Sequence, residues 1–83
     1  MKFSRWETQE GGDTSARIDM ADGEPKVFVS PRKGKWLWVA VLLSEETVEE
    51  GFACSEAEAR DAADDWLRKR QIELTDEIYH AVN

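Results

Sequence analysis

EEGFACSEAEARDAADDW, residues 49 to 66, holds the end of a strand, a corner and the body of a helix. Ser55 has the chemistry of a helix N-cap, and Glu58 three residues later completes a capping box. In such a box the Ser hydroxyl accepts from the backbone N–H of residue 58, and the Glu carboxylate reaches back to the N–H of residue 55. Ala59, Ala62, Ala63, Trp66 and Leu67 follow at the i, i+3, i+4, i+7, i+8 spacing of one buried helical stripe. Small residues come first and large ones last, so the helix approaches its support closely at the start and splays outward near Trp66. Acids early and Arg68, Lys69 and Arg70 late suit the helix dipole. The predicted helix therefore runs from about Glu56 to Arg70. Before the corner, Thr47 to Cys54 reads as a strand with Val48 and Phe52 on one side. Gly51 sits where a bulge or a close approach is expected, and Cys54 reads as a small, half-buried core residue.

Upstream, Trp36 to Leu43 (WLWVAVLL) is apolar on both faces and rich in aromatic and β-branched residues, as a central strand should be. Trp36 and Trp38 share one face; Leu37, Val39 and Val41 share the other, and the pattern leaves open which of them the helix covers. PRKGK (31–35) reads as a turn opened by Pro31, KVFVS (26–30) as a short strand, and ADGEP (21–25) as a hairpin turn. Ser15 to Met20 alternates with period two, which places Ala16, Ile18 and Met20 inward and Ser15, Arg17 and Asp19 on a half-exposed face. QEGGDT (9–14) is a loop, and KFSRWET (2–8) a weak strand. After the main helix, Ile72, Leu74, Ile78, Tyr79 and Val82 suggest a second short helix capped by Thr75. The expected fold is a single α+β domain over 1–83. An antiparallel β-sheet of three to five strands (about 2–54) packs on one C-terminal α-helix (about 56–70), followed by a segment over 71–83.

The composition narrows the function classes. A chain of 83 residues with 41% hydrophobic content and four tryptophans supports one modest core. Its net charge of -7 opposes non-specific binding to a polyanion. The single cysteine excludes an intrachain disulfide and a Cys-based zinc site. No apolar run approaches the roughly 20 residues of a membrane span, and the first residues lack the pattern of a signal peptide; the expectation is a soluble, cytoplasmic protein without a membrane partner. His80 is the only histidine, with no nucleophile arranged beside it. Asp61, Asp64 and Asp65 lack the Gly-centred loop of a calcium site, and Gly11-Gly12 alone is no phosphate cradle. No catalytic, cofactor-binding or metal-binding residue is expected, and the chain does not read as an enzyme.

Trp36, Trp38, Val39, Gly51, Phe52, Ser55, Glu58, Ala59, Ala62 and Ala63 together resemble the strand-to-helix corner of two families of small sheet-plus-helix domains. These are the arm-binding domain at the start of phage integrases and the C-terminal half of double-stranded-RNA-binding domains. The resemblance covers about half the chain and implies a three-stranded sheet against a helix. It departs from both families at the contact residues. Where the RNA-binding family places lysines at the helix start to meet phosphates, this chain has Glu56, Ala57 and Glu58, and the last strand offers Glu49 and Glu50.

Charge is segregated along the sequence. From Ser44 to Asp65 the acids Glu45, Glu46, Glu49, Glu50, Glu56, Glu58, Asp61, Asp64 and Asp65 are opposed by Arg60 alone, whereas Lys26 to Leu43 carries only Lys26, Arg32, Lys33 and Lys35. Such an acidic run forms either a solvated, aggregation-resistant surface or a face for a basic partner. The functional expectation is a small acidic, non-enzymatic interaction module, of phage or bacterial regulatory type, that binds a protein with a basic surface through Glu45, Glu46, Glu49, Glu50, Asp61 and Asp65. The alternative is a nucleic-acid-binding domain using Arg32, Lys33 and Lys35 beside Trp36 and Trp38, which would combine phosphate contact with base stacking, helped by Arg68, Lys69 and Arg70.

Overall fold

The computed structural model of the chain describes residues 1–42 and 48–75. Its elements are β1 (Lys2–Phe3), β2 (Glu7–Thr8), β3 (Ser15–Asp19), β4 (Glu24–Arg32), β5 (Lys35–Ala40), β6 (Glu49–Ala53), α1 (Glu56–Lys69) and β7 (Glu73–Leu74). The class is α+β, as expected, but among the described residues the sheet has seven strands rather than three to five, in the order β6-β5-β4-β3-β1-β7 with β2 also paired to β3. It is mixed, because β7 runs parallel to β1. The weak strand over 2–8 is two short strands that pair with β3 at different positions.

The two longest strands form a hairpin whose turn is Lys33-Gly34. Both residues have positive φ (46° and 83°), as a two-residue type I′ turn requires. Pro31 lies in β4 opposite Trp36 and not in the turn. Pairing with β3 has already ended at Ser15–Val29, so the proline sits where β4 has a neighbour on one side only, a position its missing N–H tolerates. At the β3–β4 end, Asp22 accepts from the Glu24 N–H at 2.9 Å and meets Lys26 at 3.0 Å. These contacts hold its carboxyl below the ordinary 3.8. Their small contribution is present above that value and fades as the pH falls below it.

Half of the predicted capping box is present: the Ser55 hydroxyl accepts from the Glu58 N–H at 3.2 Å, without the reciprocal bond from the Ser55 N–H to the Glu58 carboxylate. It leaves β6, crosses β5 and β4, and delivers the chain to the opposite edge of the sheet. There Gln71 takes a left-handed φ of 63°, its N–H bonds to the Arg68 carbonyl and the Ile72 N–H bonds to the Leu67 carbonyl, which is a Schellman motif. The next residues, Glu73 and Leu74, form β7, and Thr75 donates to the Phe3 carbonyl through both backbone and hydroxyl; the body of the second short helix expected after a Thr75 cap lies outside the described residues. Ile78, Tyr79, His80 and Val82 lie outside the described residues. Because a non-glycine residue bears a left-handed conformation at the helix end, Gln71→Gly is expected to raise stability by about 1 kcal/mol. In a thermal melt this reads as a gain of roughly 4–8 °C for a domain of this size.

Candidate protein-interaction surface

Helix α1 packs on one face of the sheet, and among the described residues no helix packs on the other. Trp36, Trp38 and Ala40 of β5, with Val27 and Val29 of β4, lie toward α1, where Ala59, Ala63 and Leu67 are fully buried against them. The alanines let the helix come close, and Trp66 meets Trp38 with ring centroids 6.3 Å apart and planes tilted by 48°. Trp38 is only 8% exposed. Gly51, directly opposite it, supplies the space the indole occupies.

The covered face also holds a polar cluster that the alternation of β3 misplaces. Ser15, Arg17 and Asp19, expected on the half-exposed face, are buried, and Met20 is exposed. Arg17 is fully buried; its Nε donates to Asp64 Oδ1 at 2.9 Å and its Nη1 donates to the Ser4 carbonyl. Trp6 Nε1 donates to Asp64 Oδ2 at 3.3 Å, and the Trp6 ring has the Arg17 guanidinium 5.3 Å from its centroid and that of Arg60 5.5 Å away. Arg60 donates to Ser15 Oγ at 2.7 Å and to Glu56 Oε2 at 3.0 Å. Asp64, one of the acidic run, is therefore an internal counter-ion. The cluster ties the N-terminal segment, β3 and α1 together, and among the described residues the buried Arg60 Nε is left without a hydrogen-bond partner.

The other face carries Phe28, Leu37 and Val39, all half-buried, and ends at β6 with Phe52, which is 62% exposed. Among the described residues no helix covers it. The register puts Glu50 beside Val39 and Phe52 beside Leu37 on this face, with Glu49 on the alternate side of the same strand. Cys54, expected half-buried, is exposed at the corner.

These placements divide the expected acidic set. Glu49 and Glu50 stand together on the edge strand, exposed, and without an ion pair among the described residues. Asp61 and Asp65 are exposed on the helix, in the other layer, and Asp65 is already paired with Lys69 at 3.1 Å. Glu45 and Glu46 lie outside the described residues. Of the alternative set, Arg32, Lys33 and Lys35 are exposed at the hairpin tip and Trp36 is half-buried. Trp38 is sandwiched beneath the helix, where no base can stack on it.

No protein-family model, curated protein or solved structure matches this chain. Geometry alone carries the functional argument. Among the described residues no group of His, Cys, Asp and Glu is arranged to hold a metal ion, and no helix is long and apolar enough to cross a membrane. Sequence alternation missed the Trp6–Arg17–Asp64 cluster because it ranks Arg17 as an outward residue. Trp6, out of phase with Phe3, was the available signal that the first segment turns toward the helix.

Proposed function

We propose that this chain is a non-enzymatic, acidic interaction module that binds another protein presenting a basic surface. One observation supports it above the others: the apolar sheet face opposite α1 ends in a largely exposed phenylalanine, Phe52, with Glu50 beside it on the same face and Glu49 next to it on the alternate side of the strand. An apolar patch with a charged rim is the usual make-up of a recognition surface. The net charge of -7 adds long-range attraction for a cationic partner. The partner-binding set contracts to Glu49, Glu50 and Phe52, with Asp61 and Asp65 contributing through the general field. The competing nucleic-acid reading retains the basic hairpin tip and loses Trp38.

The test is capture of partners from nuclease-treated lysate by the wild-type chain, by Glu49→Lys/Glu50→Lys and by Lys33→Glu/Lys35→Glu. The first double variant is expected to weaken capture at least tenfold with an unchanged circular dichroism spectrum, and the second to leave it intact. Loss only in the second variant, or loss on nuclease treatment, overturns the proposal in favour of nucleic acid.

A further inference from the structure

Strand β6 is the outermost strand of the sheet and, among the described residues, pairs with β5 alone. Its five residues present about 17 Å of backbone donors and acceptors along one edge. Such an edge is normally blunted by charge, proline or a bulge; here Glu49 and Glu50 supply charge against uncontrolled pairing, beside Gly51 and the exposed ring of Phe52. We infer that β6 accepts an extended segment of a partner protein as an eighth, antiparallel strand, and that this segment carries a large apolar residue two positions before a pair of basic residues. This deepens the interaction reading above and rests on it.

The pattern follows from the register. A strand added antiparallel to β6 places successive residues opposite Ala53, Phe52, Gly51, Glu50 and Glu49. The residue facing Phe52 gains burial on the open sheet face if it is β-branched or aromatic. Two positions later on the same face stands Glu50, and the next residue meets Glu49 on the alternate face, so adjacent Lys or Arg residues satisfy both carboxylates. Backbone pairing gives affinity, and the alternating side chains give selectivity. A second copy of this chain fits worse, because each copy brings its own Glu49 and Glu50 to a domain of charge -7.

The probe is a capped peptide, Thr-Ile-Thr-Arg-Lys-Thr, titrated into the uniformly nitrogen-15-labelled full chain. Two controls accompany it: a scramble of the same composition that separates the basic residues, and the same peptide N-methylated at alternate residues to remove donors. Saturable binding that slows amide exchange at residues 49–53, is weakened at least tenfold by either control and is lost in Glu49→Lys/Glu50→Lys supports the inference. Binding that shifts Phe28, Leu37 and Val39 without protecting residues 49–53 overturns strand addition while leaving an interaction surface in place. Failure of the peptide to bind, alongside loss of lysate capture in Glu49→Lys/Glu50→Lys, overturns strand addition alone; failure of both removes the interaction reading too. Concentration-dependent protection of residues 49–53 without peptide assigns the edge to a second copy and also overturns it.

Discussion

Asp64→Ala is expected to cost about 3 to 5 kcal/mol of folding stability, the range for removing one partner of a buried ion pair. Arg17 bears the consequence, because its side chain is fully buried. The substitution removes the bonds from Arg17 Nε to Asp64 Oδ1 at 2.9 Å and from Nη2 to Oδ2 at 3.4 Å, together with the acceptor of Trp6 Nε1. A domain of this length has a total stability of order 5–10 kcal/mol, so the variant populates the unfolded state measurably, and urea titration shows a midpoint lowered by a third or more. The neighbouring substitution is the control. Asp65→Ala removes an equally short ion pair to Lys69, yet both side chains are mostly in water, and the change stays within about 0.5 kcal/mol. Replacing the buried pair together, as Arg17→Met with Asp64→Leu, recovers only part of the loss: the desolvation of two charges vanishes with them, but Trp6 Nε1 and the Ser4 carbonyl lose these partners. An Asp64→Ala midpoint equal to that of Asp65→Ala would sink the account of the covered face.

Local patterns were legible where a single segment carries its own explanation. The Ser55 cap, the alanine stripe and the double-faced apolar strand around Trp38 each depend on neighbours a few residues away; the first two stand where the pattern puts them, and the strand begins one residue earlier and ends at Ala40, short of the expected Leu43. Legibility failed where burial depends on a distant partner. Nothing within β3 announces that Arg17 faces inward, because its counter-ion lies 47 residues later on the helix. The same pairing removes Asp64 from the acidic face that the charge run suggests. Likewise, Glu73 and Leu74 alternate as well in a helix as in a strand; their parallel pairing with Lys2 and Phe3 decides, and that choice exists only once the helix has crossed the sheet. The interaction surface was half legible: Glu49 and Glu50 stand out by charge, but their placement on a free sheet edge beside an exposed Phe52 requires the strand order.

Gly51→Val is expected to cost about 2 kcal/mol, although it replaces a poor strand residue with a good one. Taken alone, strand preference favours valine over glycine by up to about 1 kcal/mol. Against this, even the first added carbon at residue 51 would lie 2.8 Å from Trp38 Nε1 and 3.2 Å from the adjoining ring carbon, closer than atoms of that kind approach. Relief requires the indole to move, and it is held by Trp66 on the helix and by Val29 across the strand. Overpacking of a core typically costs about 1–3 kcal/mol, so the clash outweighs the propensity gain. Near-ultraviolet circular dichroism and tryptophan fluorescence give the specific readout: a displaced Trp38 alters both, and the melting temperature falls by roughly 8–16 °C for a domain of this size. If Gly51→Val instead melts at or above the wild-type temperature, residue 51 has room to spare, and the close approach of β6 to the Trp38 ring is not what seats the edge strand. The companion variant Gly51→Val/Trp38→Phe separates the causes, because the smaller ring opens space at that contact: it should unfold at a higher denaturant concentration than the sum of the two single changes predicts, the signature of two residues sharing one volume.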